Sequence, residues 1–207
     1  MKTRLSAVFF SLLVLPLWAM ATGDKVRGEA KAITCQACHG IAGNSQVPNF
    51  PKLAGQHEKY VYRQLHAYAK QDRNDAMMNN IVASLSDQDM HDLAAYYASM
   101  PMMKVTTTET QEQNLLGRKL YYSGNKASGV PACIACHGPN GRGIPAAGWP
   151  VISGQHQAYI EKSLTDYAAG QRGQEKGAKM MSDIVQKMTA TEKQAVSHYI
   201  AKQLVEN

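Results

Sequence analysis

The five-residue pattern Cys-x-x-Cys-His occurs twice, as Cys35-Gln36-Ala37-Cys38-His39 and Cys133-Ile134-Ala135-Cys136-His137, and it uses all four cysteines of the 207-residue chain. The pattern is the attachment signature of a c-type haem. Two thiols add across the porphyrin vinyl groups, and the histidine that follows at once is placed to bind the iron from the proximal side. Two copies with no spare cysteine predict two covalently held haem c groups, at Cys35 and Cys38 and at Cys133 and Cys136. A lone Cys-x-x-Cys also suits a redox dithiol or half of a zinc site. A dithiol motif does not need histidine after the second cysteine in both copies. A four-cysteine zinc site would draw the two pairs together and require neither histidine.

The start of the chain reads as an export signal. Lys2 and Arg4 precede an almost unbroken apolar stretch from Leu5 to Trp18, and Ala19-Met20-Ala21 is a small-x-small cleavage site. The apolar run is short for a membrane span, and Pro16 inside it argues against a retained anchor. The expectation is a signal peptide over 1–21 and a mature periplasmic protein from Thr22. That compartment suits the chemistry, because c-type haem is attached on the outer side of the bacterial inner membrane. The formal charge of +6 includes Lys2 and Arg4, and four haem propionates offset most of what remains. No lysine-arginine run supports a nucleic-acid partner. The mild basicity reads as a solvated surface with a docking patch.

The repeat extends beyond the haem motifs. His39 and His137 are 98 positions apart. Pro51-Lys52-Leu53-Ala54-Gly55-Gln56-His57 is echoed by Pro150-Val151-Ile152-Ser153-Gly154-Gln155-His156, Tyr60 and Leu65 by Tyr159 and Leu164, and Arg73 by Arg172. Met77-Met78 returns as Met180-Met181, and Ser86, Leu93 and Tyr96 as Thr189, Val196 and Tyr199. The chain is therefore an all-α tandem duplication, with one unit over 22–100, a linker over 101–109 opened by Pro101 and rich in threonine, and a second unit over 110–207. Helices are predicted over about 25–34 and 111–122, 56–70 and 155–169, and from the capping boxes at Ser86-Asp87-Gln88-Asp89 and Thr189-Ala190-Thr191-Glu192. Gly28 and Gly117 interrupt the first helix of each unit at a cost of about 1 kcal/mol against alanine. Close crossing with the last helix, under Tyr96 or Tyr199, accounts for them.

His39 and His137 are the proximal iron ligands on this reading. The opposite axial position falls to a methionine, whose thioether stabilises ferrous iron and raises the potential. Met78 lies eight residues before Ser86 and Met181 eight before Thr189. Met77 and Met180 keep equal spacing too, so the spacing alone selects a pair in a loop and not one residue of it. His57 and His156 are duplicated rivals that would give bis-histidine haems, but their place at a helix start, soon after the proximal loop, puts them on the wrong side. His66, His91 and His198 are out of register and read as surface or interface residues. Pro51 and Pro150 mark a backbone carbonyl that accepts the second ring N–H of the proximal histidine.

With both Cys-x-x-Cys-His motifs, the Ala-Cys-His-Gly-x-x-Gly loop, the Pro-x-Leu-x-Gly-Gln stretch from Pro51 to Gln56 and the methionine-bearing segment before Ser86-Asp87, the chain resembles the diheme cytochrome c4 family, built from two class I cytochrome c domains. The second copy departs by Ile152 in place of leucine, by a longer loop before Cys133 and by four extra residues before Met180. The resemblance implies a monomeric electron carrier, not an enzyme, with His/Met ligation at both haems, and class I practice selects Met78 and Met181. It also implies passage of electrons from an upstream redox donor toward a terminal oxidase, with loose inner-membrane association in some members. The rival class is a two-haem peroxidase or a thiosulfate-oxidising cytochrome, which needs an open or displaceable iron position. This chain instead offers a sixth ligand in both units. A further alternative is a haem subunit bound permanently to an oxidoreductase.

Overall fold

A computed structural model describes residues 22–103, 115–175 and 177–202. The export signal over 1–21, and all of the linker after Met103, lie outside the described residues. Within them the structure is helical, with two isolated β-bridges, Asn125 to Val130 and Ile144 to Trp149, and no strands. No described helix is long and apolar enough to cross a membrane.

The N-terminal half opens with α1 (Lys25–Ala32), capped by Asp24, whose carboxylate accepts from the N–H of Val26 and of Arg27. A 3₁₀ turn over Ile33–Cys35 leads into α2 (Gln36–His39). Then follow α3 (Glu58–Ala69), α4 (Ala76–Val82) and α5 (Asp87–Ser99). The capping box at Ser86 and Asp89 forms in full. The C-terminal half repeats the order with α6 (Leu115–Ser123), α7 (Ile134–His137), α8 (Gln157–Ala168), α9 (Lys179–Val185) and α10 (Ala190–Lys202). Thr189 and Glu192 form its second capping box.

In each half the first and last long helices cross closely, α1 on α5 and α6 on α10, and the middle helix packs on the last. Gly28 is the reason α1 can approach: a Cβ there would lie 2.0 Å from the Asp92 carbonyl oxygen and 2.8 Å from the Tyr96 Cβ. The expected crossing under Tyr96 is thus present, and Gly117 is likewise buried on α6. Buried Asp92 pins the crossing, accepting from Arg27 Nε at 2.7 Å, Arg27 Nη2 at 3.0 Å and the Asp24 N–H at 2.7 Å. Leu93, Ala94, Tyr96, Tyr97 and Val61 form the first core, and Leu120, Tyr121, Ile160, Val196 and Tyr199 lie in the second.

Two expectations are corrected. The Met-Met pairs are not in loops: both stand in the first turn of short helices, α4 and α9. The middle helices start two residues later than their sequence pattern, because His57 and His156 keep extended backbone as N-caps.

Candidate functional site

The chain reverses directly after each motif histidine. Gly40 takes φ 76° and Gly138 φ 75°, a left-handed conformation that suits glycine. The Gly43 carbonyl then accepts from the N–H of Leu53 and of Ala54, and the Gly141 carbonyl from those of Ile152 and Ser153. Each closed loop carries its proline back over the histidine. The Pro51 carbonyl lies 2.9 Å from His39 Nδ1 and the Pro150 carbonyl 3.2 Å from His137 Nδ1, as the sequence predicts. A carbonyl only accepts, so Nδ1 carries the proton and Nε2 presents its lone pair. Burial pushes both imidazoles below their ordinary value, against a smaller opposing pull from the carbonyls. Both rings are therefore neutral at neutral pH, the form that binds a metal.

A cavity of about 1190 Å³ runs past both motifs. All four cysteines, His39, His137 and both methionine pairs line it. Exposure separates the members of each pair: Met77 and Met180 are 51% and 52% exposed, whereas Met78 and Met181 are half-buried. Met181 packs on the core of its half. Among the described residues no three His, Cys, Asp or Glu side chains gather as a metal-ligand cluster. Burial also pushes the Cys133 thiol up to about 11, the reverse of a reactive dithiol.

The two halves meet along a pseudo-twofold set of hydrogen bonds made by the duplicated residues. Gln56 Nε2 donates to the Val151 carbonyl at 2.8 Å and its Oε1 accepts from the Val151 N–H at 2.9 Å. Gln155 makes the same pair of bonds to Lys52, both at 2.9 Å. His57 Nε2 donates to the Arg142 carbonyl and His156 Nε2 to the Ser45 carbonyl, at 2.7 and 3.0 Å. The bis-histidine rivals are therefore spent on the interface. Arg73 and Arg172, each stacked over a tyrosine of its own half (Tyr68 and Tyr167), lie deep in the same contact. Arg73 donates to Gln64 at 2.7 Å and to the Tyr159 hydroxyl at 3.1 Å; Arg172 donates to Gln64 at 3.1 Å and to the Tyr60 hydroxyl. Gln64 in turn donates to Glu175. Burial alone would raise the Tyr159 phenol, but the guanidiniums of Arg73 and Arg172 outweigh it and bring it down to about 7. The sequence repeat marks most of these residues without indicating that they face the other half.

These residues fit two haems. The wall is apolar around four thiols and two neutral imidazoles, and two buried guanidiniums line it. The Arg172 Nε is buried and unpartnered. Buried cations need anions, and haem propionates are anions.

The cytochrome c family profile matches residues 25–101 and 116–203. The cytochrome c4 of Pseudomonas aeruginosa is 44% identical over 184 residues, spanning 88% of this chain and 90% of that protein. The reduced recombinant cytochrome c4 of Pseudomonas stutzeri superimposes with a TM-score of 0.81 at 38% identity, over 87% of this chain and 98% of that one. The thiosulfate dehydrogenase electron acceptor of Thiomonas intermedia is 35% identical over 189 residues, 90% of this chain and 85% of that protein.

Proposed function

The chain belongs to the cytochrome c4 family and is a diheme electron carrier, not an enzyme; on that premise we propose that it works in the periplasm, passing single electrons between respiratory partners toward a terminal oxidase, with His39 and Met78 at one iron and His137 and Met181 at the other. Two haem c groups are held through Cys35 and Cys38 and through Cys133 and Cys136, and each supplies a one-electron ferrous/ferric couple when attached. The observation that carries the ligand set is the shared cavity. In each domain it brings together a neutral, carbonyl-held histidine and one half-buried methionine of the pair.

The residues of the chain have three tasks on this reading. The prolines' carbonyls orient the imidazoles and keep Nδ1 protonated. The tyrosine and leucine cores exclude water from the sites. Arg73 and Arg172 supply positive charge between them. The domains also differ: residues 22–100 carry eight basic and eight acidic side chains, and residues 110–207 carry eleven and seven. Positive charge favours ferrous iron, so the C-terminal haem is the higher-potential one and the N-terminal domain the entry point.

The optical spectrum of the oxidised protein tests the ligand set through its far-red sulfur-to-iron band. Two equivalents are expected; one or none refutes methionine ligation in at least one domain. A second reading of the donor rests on the Thiomonas relative, named as an electron acceptor of thiosulfate dehydrogenase: electrons enter from a sulfur-compound dehydrogenase. Reduction of the protein by such an enzyme during thiosulfate turnover, measured against reduction by a quinol-oxidising complex, separates the two donors.

A further inference from the structure

The bond from His39 Nδ1 ends on the Pro51 carbonyl, and the Lys52 N–H belongs to the same peptide group. That N–H donates across the interface to Gln155 Oε1 at 2.9 Å, while Gln155 Nε2 donates to the Lys52 carbonyl. The other domain mirrors this. His137 Nδ1 bonds the Pro150 carbonyl, and the Val151 N–H of the same peptide donates to Gln56 Oε1 at 2.9 Å. In both places the glutamine oxygen also accepts the following N–H, of His156 or His57, which holds the amide in position.

We propose that Gln56 and Gln155 are cross-domain positioning residues, each setting the reduction potential of the haem in the opposite domain through the peptide group that holds its proximal histidine. A peptide whose N–H is bonded is polarised, and its oxygen becomes a stronger acceptor. A stronger acceptor draws the Nδ1 proton and makes the imidazole a better donor to iron. A better donor stabilises ferric iron and lowers the potential. Gln56 is buried and Gln155 partly so, so water competes poorly for either N–H. The domain contact thus tunes both sites, each through its own glutamine.

The inference rests on His39 and His137 as iron ligands. The test is a redox titration of the haem-loaded protein, read for each haem separately from its ferric methyl proton resonances. Gln155→Met is expected to raise the N-terminal haem about threefold in its reduction equilibrium constant, about 28 mV at 59 mV per tenfold for one electron. Gln56→Met is expected to do the same to the C-terminal haem. Gln155→Glu keeps a stronger acceptor and is expected to lower the N-terminal haem. Faster hydrogen exchange at the Lys52 amide in Gln155→Met establishes that the bond is lost. A shift confined to the haem of the mutated domain, equal shifts at both haems, or no shift once the Lys52 amide exchanges freely overturns the proposal. The wild-type spectrum keeps the two failures apart. An intact ligand signature with uncrossed shifts sinks the relay alone, whereas loss of histidine ligation sinks the reading beneath it.

Discussion

Gly28→Ala sets two rules against each other. Alanine is favoured over glycine inside a helix by about 1 kcal/mol, so an α1 with a free face would gain stability. The structure leaves no room for the methyl group: its carbon would lie 2.0 Å from the Asp92 carbonyl oxygen and 2.6 Å from its carbon, where ordinary contact begins near 3.4 Å. The neighbours are backbone and cannot rotate away, so α1 and α5 must part by on the order of 1 Å in a close-packed interior. Parting also strains the Arg27 and Asp24 bonds to Asp92. Overpacking of this kind costs about 1–3 kcal/mol. Taking the upper end because the clash is with backbone, and offsetting the helix gain, the net loss is about 2 kcal/mol. That corresponds to a fall in melting temperature of about 8–16 °C if the N-terminal domain unfolds alone, and about 4–8 °C if the interface makes the whole chain one unit. Calorimetry of the haem-loaded protein, with far-ultraviolet dichroism alongside, measures it. A variant that melts at or above the wild-type temperature refutes the close-crossing account and leaves propensity as the only term.

Met78→Ala and Met181→Ala are each expected to remove one equivalent of the far-red sulfur-to-iron band, and Met77→Ala and Met180→Ala neither; a spectrum that loses the band with Met77 reassigns the ligand. His57→Leu and His156→Leu are expected to leave both haem spectra unchanged while lowering the melting temperature, and a change of spin state in either would revive bis-histidine ligation. The Arg27 guanidinium, opposed by burial and helped by the Asp24 N–H and the Gln88 amide, holds the Asp92 carboxyl well below its ordinary 3.8. A depressed carboxyl contributes stability above its unfolded value and loses it as pH falls through the folded one. Asp92→Asn is therefore expected to be less stable than wild type at pH 7, with the gap closing on acidification below about pH 4; a gap independent of pH would place the effect in packing. Domain-resolved potentiometry is expected to find the C-terminal haem higher, and the reverse order would show that burial or ligand geometry outweighs net charge.

The haem sites were legible because their chemistry leaves a local trace. Two thiols and a histidine must sit within five residues to meet one porphyrin, and the proline carbonyl follows in the next loop, so both ends of the His39 to Pro51 bond are within twelve positions. Gly28 was legible for a similar reason, since glycine in a helix needs a cause and a repeated glycine needs a shared one. The methionine helices were not, because α4 and α9 have seven residues each. That is two turns, too few to show a period, and asparagine at 79 and 80 reads as loop until Asp75 is seen to cap Met78.

The interface was hidden for a deeper reason. A duplication shows which residues recur, but its own pseudo-symmetry makes two placements look alike: a residue that serves its own domain twice, and one that serves the other domain reciprocally. Gln56, His57, Tyr60 and Arg73 all recur in register with Gln155, His156, Tyr159 and Arg172, and the repeat alone leaves the histidines as rival ligands set aside only for their place in the chain. In the folded chain the glutamines, the histidines and the arginine-tyrosine pairs all reach across. One feature that breaks the symmetry lies where the repeat breaks. Glu175, in the four extra residues before Met180, bonds Gln64, and the position matching Gln64 in the other half is Ser163. A buried carboxylate has thus entered a contact that holds two buried guanidiniums. It leaves less positive charge for the propionates than a strictly symmetric pair would offer, and it does so within the stretch that the second half adds before Met180. A Glu175→Gln variant is therefore expected to raise both potentials, since both arginines share Gln64. A variant that moved only the C-terminal haem would show that Glu175 acts on its own domain and not through the shared cluster.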